Sequence, residues 1–236
     1  MKIILKITVF SAVFLMLAGG LVSCEGKEKL QWNDCLGEER WFEVNNVSRY
    51  SDVVGMKFFG QITRSFYDFE NIELGCAYWE DGGIRIVLPK TVKPNYLRPL
   101  DYGGHLFPPT ISNENVRVIR ASLQGVDKDD SWAENFSPFK EIEDGFVMAF
   151  FIYADSDVTI SGHNKINQTF VNGIEQESTI IHSIELKKGW NIQYYSRTVK
   201  RVGNKITLTE QTTTSPVNGL RWYGDRESLD IRFRPI

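Results

Sequence analysis

The stretch STIIHSIELKKGWNIQYYSRTVKRVGNKITLTEQTT, residues 178–213, decides the fold class. It contains three runs rich in β-branched and aromatic residues, which are Ser178–Leu186, Trp190–Val199 and Ile206–Thr213. Runs of this composition and length predict β-strands when turn residues separate them. The turn Lys187-Lys188-Gly189 is short, so the first two runs predict a hairpin with a tight connection.

The same pattern extends toward the N-terminus. Turn residues rich in Gly, Asp and Asn separate further short runs, and no segment after residue 23 has a helical periodicity. These additional predicted strands are Met56–Ile62, Ile72–Trp79, Ile84–Leu88, Val116–Leu123, Phe146–Tyr153 and Val158–Ser161. The sequence therefore predicts an all-β, antiparallel β-sandwich-like fold, with two packed β units.

A segment rich in proline and glycine divides the predicted strands. Residues 93–109 contain four prolines and two glycines, so this part of the chain is expected to be extended or turning. We therefore predict an N-terminal β domain with a Pro/Gly-rich connection over residues 41–115. A C-terminal β-sandwich-like domain is predicted over residues 116–236, and a polar tether over residues 24–40.

The first 23 residues have the layout of a signal peptide. Lys2 and Lys6 precede an apolar stretch, which ends in Leu21-Val22-Ser23-Cys24. These four residues resemble the lipobox of bacterial lipoproteins. The resemblance implies that a diacylglycerol is attached to Cys24, that the chain is cut before it, and that two acyl chains hold the protein on a membrane. An ordinary secretory signal is the alternative.

Further resemblances concern the location of the protein. Acidic residues soon after Cys24 resemble the export signal of Bacteroidota-type lipoproteins. Leu88-Pro89 with Tyr96-Leu97, and the stretch from Leu186 to Asn191, resemble uncharacterised surface lipoproteins of Bacteroidota or spirochaete type. These resemblances imply a lipid-anchored envelope protein at the outer membrane, on its periplasmic or surface side, without catalytic residues to carry over. In the second stretch, the lysine-glycine turn is expected to place Trp190 as an anchor for the next strand.

The charge of the chain argues against two classes of partner. Residues 1–23 contain two lysines and no acidic residue, so their removal changes the formal charge from −3 to −5. A nucleic-acid partner requires a basic face, and attraction to anionic lipid also requires basic residues. The acyl chains on Cys24 are therefore the predicted membrane contact.

The three cysteines divide into one lipid site and one pair. If Cys24 carries lipid, Cys35 and Cys76 remain as a pair that an oxidising compartment would allow to form a disulfide. A free, buried Cys76 is the alternative, because spacing alone does not show that two sulfur atoms meet.

No residue pattern in the sequence declares a reaction, a metal site or a cofactor. His105, His163 and His182 lack metal-ligand spacing. Asp127, Asp129, Asp130 and Ser131 resemble the start of a calcium loop, but Trp132 stands where an EF-hand requires glycine. A solvated acidic turn is the favoured interpretation of this segment.

Aromatic residues in turn-rich segments are the candidate ligand contacts. Rigid aromatic side chains on loops stack on ligands, although they also close the ends of small cores. The five candidates are Tyr96, Tyr102, Trp132, Trp222 and Tyr223. The sequence thus predicts a binding or structural envelope lipoprotein whose ligand is a glycan, a peptide or a protein. An envelope-associated hydrolase acting on glycan or peptide polymers is the alternative.

Overall fold

The computed structural model describes residues 39–44, 50–65, 68–80, 83–100 and 108–224. Within this part of the chain the structure consists of β-strands and one short 3-10 helix, Pro94–Tyr96. The strands in the first half are β1 Glu39–Glu43, β2 Gly55–Ser65, β3 Asp68–Glu80, β4 Gly83–Val87, β5 Arg98–Pro99, β6 Thr110–Ile111 and β7 Arg117–Val126. Those in the second half are β8 Trp132–Ile142, β9 Gly145–Ala154, β10 Val158–Thr169, β11 Glu175–Leu186, β12 Gly189–Val202, β13 Lys205–Thr213 and β14 Arg221–Gly224.

The strands form one large mixed sheet. Its order is β1-β4-β3-β2-β7-β8-β9-β12-β13-β11-β10-β6, with β14 paired to β8 and β5 paired to β7. All pairings between these strands are antiparallel except the long one between β11 and β13, and a single bridge between Val44 and Trp222 is also parallel. The prediction of an all-β, sandwich-like fold is confirmed, and the parallel pair is a feature that the sequence analysis did not anticipate.

The strand β9 is buried on both of its faces. Phe151 and Tyr153 belong to one hydrophobic cluster, whereas Ile152 and Ala154 belong to another. Successive side chains of a strand point to opposite faces of the sheet, so the two clusters lie on opposite sides of β9. We call the side of Phe151 face B and the side of Ile152 face A. Strand β9 therefore has the continuous apolar sequence of a strand covered on both sides.

The predicted division near residue 115 does not separate two cores. Strand β2 pairs with β7 across this boundary. The cluster on face B contains Phe58 from before the boundary and Phe151 from after it, with their rings 5.6 Å apart and nearly perpendicular. Residues 34–236 group as one compact unit. The segments before and after residue 115 thus contribute to a common core.

The predicted hairpin between β11 and β12 is wrong, because β13 lies between these two strands. Thr213 at the end of β13 pairs with Ser183 of β11 on one side and with Tyr194 of β12 on the other. The chain leaves β11, makes a tight turn into β12, returns through the turn at Gly203, and inserts β13 into the gap. Two strands joined by a short loop are therefore separated by a third strand.

Candidate functional site

The end of β13 opens a cleft in the sheet. Beyond Thr213, β11 continues to Leu186 and β12 begins at Gly189, with no part of β13 between them. This leaves a cavity of about 500 Å³, within the range of small-ligand sites. The cleft is lined by Leu88, Phe151, Glu185, Lys187, Trp190, Asn191, Ile192, Tyr194, Thr214, Ser215 and Pro216.

Alternate residues of β12 form the apolar wall of the cleft. Trp190, Ile192 and Tyr194 are separated by two positions each, which places their side chains on the same face of the strand. All three are partly exposed. Ile192 pairs in register with Phe151 of β9, which also lines the cleft and belongs to the core on face B. The wall is therefore an exposed margin of the core.

The Trp190 side chain is fixed by packing and by one hydrogen bond. Its ring centroid lies 5.4 Å from those of both Phe58 and Tyr153. Its indole N–H donates to the carbonyl oxygen of Pro89 over 2.8 Å. The prediction that Trp190 anchors its strand is confirmed. The hydrogen bond also joins the segment around Leu88-Pro89 to the start of β12.

An ion pair stands at the rim of the cleft. Lys187 Nζ lies 2.6 Å from a carboxylate oxygen of Glu185 and 3.7 Å from one of Asp157. The hydrogen bond from Lys187 to Glu185, assisted by the negative charge, raises the pKa of the lysine above its ordinary value. Lys187 therefore lies between two carboxylates, of which Glu185 lines the cleft with it.

Short-range hydrogen bonds hold the segments around this pair. The Asn191 amide accepts from the N–H of Lys187 and donates to the carbonyl oxygens of Lys187 and Gly189. Gly189 has a φ of +105°, a backbone conformation that favours glycine. On the other side of the cleft, the Thr214 hydroxyl accepts from the N–H of Glu185 over 2.9 Å. The rim is thus built from fixed backbone as well as side chains.

A second, smaller cavity lies where three strands part. Strand β8 pairs with β7 as far as Phe136 and with β9 from Phe139, whereas β7 and β9 pair directly at Ala121 and Phe151. The opening between them has a volume of about 240 Å³. Pro138 borders it, at a position where the missing N–H of proline costs no ladder hydrogen bond.

The five aromatic candidates do not come together in one site. Trp132 is 60% exposed, with its indole N–H donating to the Asn135 side chain. Tyr96 is half-buried and packs against the core on face B. Tyr223 is half-buried, with its ring edge-on to Phe139. Tyr102 lies outside the described residues.

Trp222 lies in the core and lines the smaller cavity, and its role as a ligand contact stays a prediction. Its side chain is only 5% exposed and its ring stacks on Phe151 in the core. Strand β14 brings it there by pairing with β8, so that Trp222 lies opposite Pro138. This position is at the edge of the smaller cavity, which Phe151 and Pro138 also line.

Of the three cysteines in the predictions, only Cys76 lies within the described residues. Cys76 lies on β3 and is disulfide-bonded, so it is not a free thiol. Cys24 and Cys35, the other two cysteines of the chain, lie outside the described residues. The pairing of Cys76 with Cys35, the lipid on Cys24 and the polar tether stay predictions.

The acidic segment after β7 is a turn. One carboxylate oxygen of Asp127 accepts the backbone N–H groups of Asp129 and Ser131, and Lys57 binds Asp130 over 2.6 Å. Within the described residues, no group of three or more His, Cys, Asp or Glu side chains could hold a metal ion. His163 is exposed, His182 is half-buried within β11, and His105 lies outside the described part.

Sequence reasoning did not single out Glu185, Lys187 or Tyr194 as ligand contacts. The available signal was the alternation of Trp190, Ile192 and Tyr194 on a strand that follows a polar turn. Among the described residues, no helix is long and apolar enough to cross a membrane. No protein-family model matches the chain, and neither does any curated protein or solved structure.

Proposed function

We propose that this protein is an envelope lipoprotein, anchored by lipid on Cys24, whose β domain binds a neutral glycan in the cleft beyond the end of β13. The observation that carries the proposal is the composition of the cleft. One wall presents the partly exposed rings of Trp190 and Tyr194, and the rim presents hydrogen-bonding groups from Glu185, Lys187 and Ser215.

This composition suits the two surfaces of a sugar. A pyranose ring has a face of C–H groups, which packs against an aromatic ring, and an edge of hydroxyl groups, which requires donors and acceptors. A carboxylate accepts hydrogen bonds, an ammonium group donates them, and a serine hydroxyl does both. The cleft therefore offers a partner to each surface of the ring.

The charges favour a neutral ligand. Because Lys187 lies 2.6 Å from Glu185 and 3.7 Å from Asp157, an anionic ligand would meet two carboxylates, and a cationic ligand would have to compete with Lys187 for them. A hydroxyl-rich ligand can hydrogen-bond to both partners while the pair stays intact. A peptide could hydrogen-bond to the same groups. Its side chains would pack against the rings of Trp190 and Tyr194 less regularly than the flat face of a sugar ring would.

The cleft is also fixed before any ligand arrives. Trp190 is held by Pro89, and Asn191 and Thr214 hold the backbone on either side of the rim. A preformed site loses less conformational entropy when it binds. The alternative of a hydrolase gains no support from the cleft, since Glu185 is the one carboxylate among its described lining residues and glycoside hydrolysis ordinarily uses two.

Calorimetric titration of the detergent-solubilised protein with neutral glucan, mannan and xylan disaccharides tests the proposal. We expect at least one of these probes to bind, and Tyr194→Ala to lower its affinity about 10-fold, because one aromatic face is lost. Trp132→Ala is the matched control, since Trp132 is exposed and does not line the cleft, and it should leave binding unchanged. Binding that depends on Trp132 and not on Tyr194, or no binding at all, would contradict the proposal.

A further inference from the structure

Face B continues from the cleft toward the turn between β12 and β13 as a surface rich in hydroxyl groups. We call the end of this surface nearest that turn its lower end. Strands β11, β13 and β12 lie side by side there, and their register places matching positions in rows across the sheet. One row is Thr179, Thr209 and Thr198, and another is Ser183, Thr213 and Tyr194. We call the residues Thr179, Ser183, Ser196, Thr198, Thr209 and Thr213 the hydroxyl face.

The hydroxyl face and the cleft lie on the same side of the sheet. Tyr194 belongs to both, because it lines the cleft and also pairs with Thr213. Two and four positions after Tyr194 come Ser196 and Thr198, which therefore share its face. The surface thus begins where the cleft ends.

The hydroxyl groups on this face are exposed to a ligand. The six side chains are at least partly exposed. Among the described residues, Thr179, Thr198 and Thr209 make no side-chain hydrogen bond, so their hydroxyls have both donor and acceptor capacity to offer. Neighbouring strands lie about 4.8 Å apart, so the three groups form a closely spaced row.

The lower end of the face is charged, and Lys200, two positions after Thr198, belongs to it as well. Glu177 lies 3.4 Å from Lys205 and 3.8 Å from Lys165, all three on face B. The uncharged part of the face is therefore bounded at one end by the ion pair of the cleft and at the other end by this charged cluster. A neutral polymer fits between these limits better than a polyanion or a polycation.

We infer that the ligand is an extended neutral polysaccharide, which places one end in the cleft and continues over the hydroxyl face along β13. This inference rests on the proposed function. Thr209 lies four residues before Thr213, about 13 Å along the strand, so a disaccharide seated in the cleft does not reach its row. Sugars beyond the second would hydrogen-bond to the row of Thr179, Thr209 and Thr198. These bonds would add affinity that a disaccharide lacks.

Chain length separates this inference from the proposed function. We expect a hexasaccharide to bind at least about 10-fold more tightly than the disaccharide of the same glucan, mannan or xylan, as two or more added hydrogen bonds would give. The double variant Thr198→Val/Thr209→Val should remove most of this gain and leave disaccharide binding unchanged. Valine keeps the β-branched shape that a strand favours.

Thr212→Val is the matched control, because Thr212 lies on the same strand but points to face A. It should change neither affinity. Equal affinities for the two chain lengths, with no effect of the double variant, would overturn the inference and leave the proposed function standing. Absence of binding by every disaccharide and hexasaccharide would overturn both. The comparison of chain lengths needs no substitution, so it decides the question even if a variant folds poorly.

Discussion

Trp190 donates its indole N–H to the carbonyl oxygen of Pro89, 2.8 Å away and 101 residues earlier in the chain. This bond joins the start of β12 to the segment that follows β4, and it fixes the aromatic wall of the cleft to the core. The stability of the domain and the shape of the candidate site therefore depend on the same side chain.

Replacement of Trp190 by phenylalanine should destabilise the protein by about 1 kcal/mol in addition to any loss of packing. The reason is that phenylalanine has no N–H group, so the Pro89 carbonyl oxygen loses its hydrogen-bond donor. Urea unfolding measures the difference. Trp132→Phe is the control, since Trp132 is 60% exposed, and it should change the free energy of unfolding by less than about 0.5 kcal/mol. A loss of less than about 0.5 kcal/mol in Trp190→Phe would contradict a stabilising role of the bond to Pro89.

Tyr195 should resist ionisation in alkaline solution. Burial, together with the hydrogen bond that its hydroxyl donates to Glu210 over 2.8 Å, raises its pKa well above the ordinary value near 10. Above that pH the unfolded chain loses this proton while the folded protein keeps it, so the contribution of Tyr195 to stability falls as the pH rises. Unfolding followed from pH 9 to pH 11 should show a smaller loss of stability in Tyr195→Phe than in the parent. The same slope in both proteins would rule out the shift.

Asp127 should stabilise its turn, and the turn should not bind calcium. Asp127→Ala removes the acceptor for two backbone N–H groups in the turn between β7 and β8, which should cost about 1 kcal/mol. Asp129→Ala keeps that acceptor and serves as the control. Calcium at millimolar concentration should leave the melting temperature of the parent unchanged, and a rise in that temperature would show that the turn binds the ion.

The partner of Cys76 should be Cys35. Peptide mapping of the unreduced protein is expected to yield one disulfide-linked pair that contains these two residues, and Cys35→Ser should lower stability by about 2–4 kcal/mol. A link from Cys76 to Cys24 would contradict two predictions together, because a cysteine in a disulfide cannot carry the lipid thioether.

The strands were predictable because their signal is local. Alternating or continuous apolar runs of four to ten residues identified β2, β3, β4, β7 and β9 to β13 within a few residues at their ends, except that β10 continues as far as Thr169. Strand β8 was missed, because Asp127–Pro138 is polar at its start and ends in a proline. Pro138 is accommodated only because β8 changes partners there, which depends on β7 and β9 and not on the local sequence.

The site was less predictable than the strands. A tight turn between two strands ordinarily predicts a hairpin, and only the register of β13 shows that a third strand separates them. The cleft exists because β13 ends at Thr213 while its neighbours continue. Its residues come from segments around Leu88, Phe151, Glu185, Tyr194 and Ser215, and no short sequence window contains them. Among the residues that line the cleft, the sequence analysis singled out only the neighbourhoods of Leu88 and Trp190.

We propose that lipid on Cys24 anchors the protein, and such an anchor would decide where the cleft meets a ligand. Attachment of lipid to Cys24 is therefore the prediction to test first. Mass spectrometry of the N-terminal peptide, from protein isolated out of its native membrane, tests it most directly. We predict a peptide that begins at Cys24 and carries the mass of a diacylglycerol, and a Cys24→Ala protein that lacks this mass and leaves the membrane fraction. An unmodified N-terminus at another residue would contradict the claim.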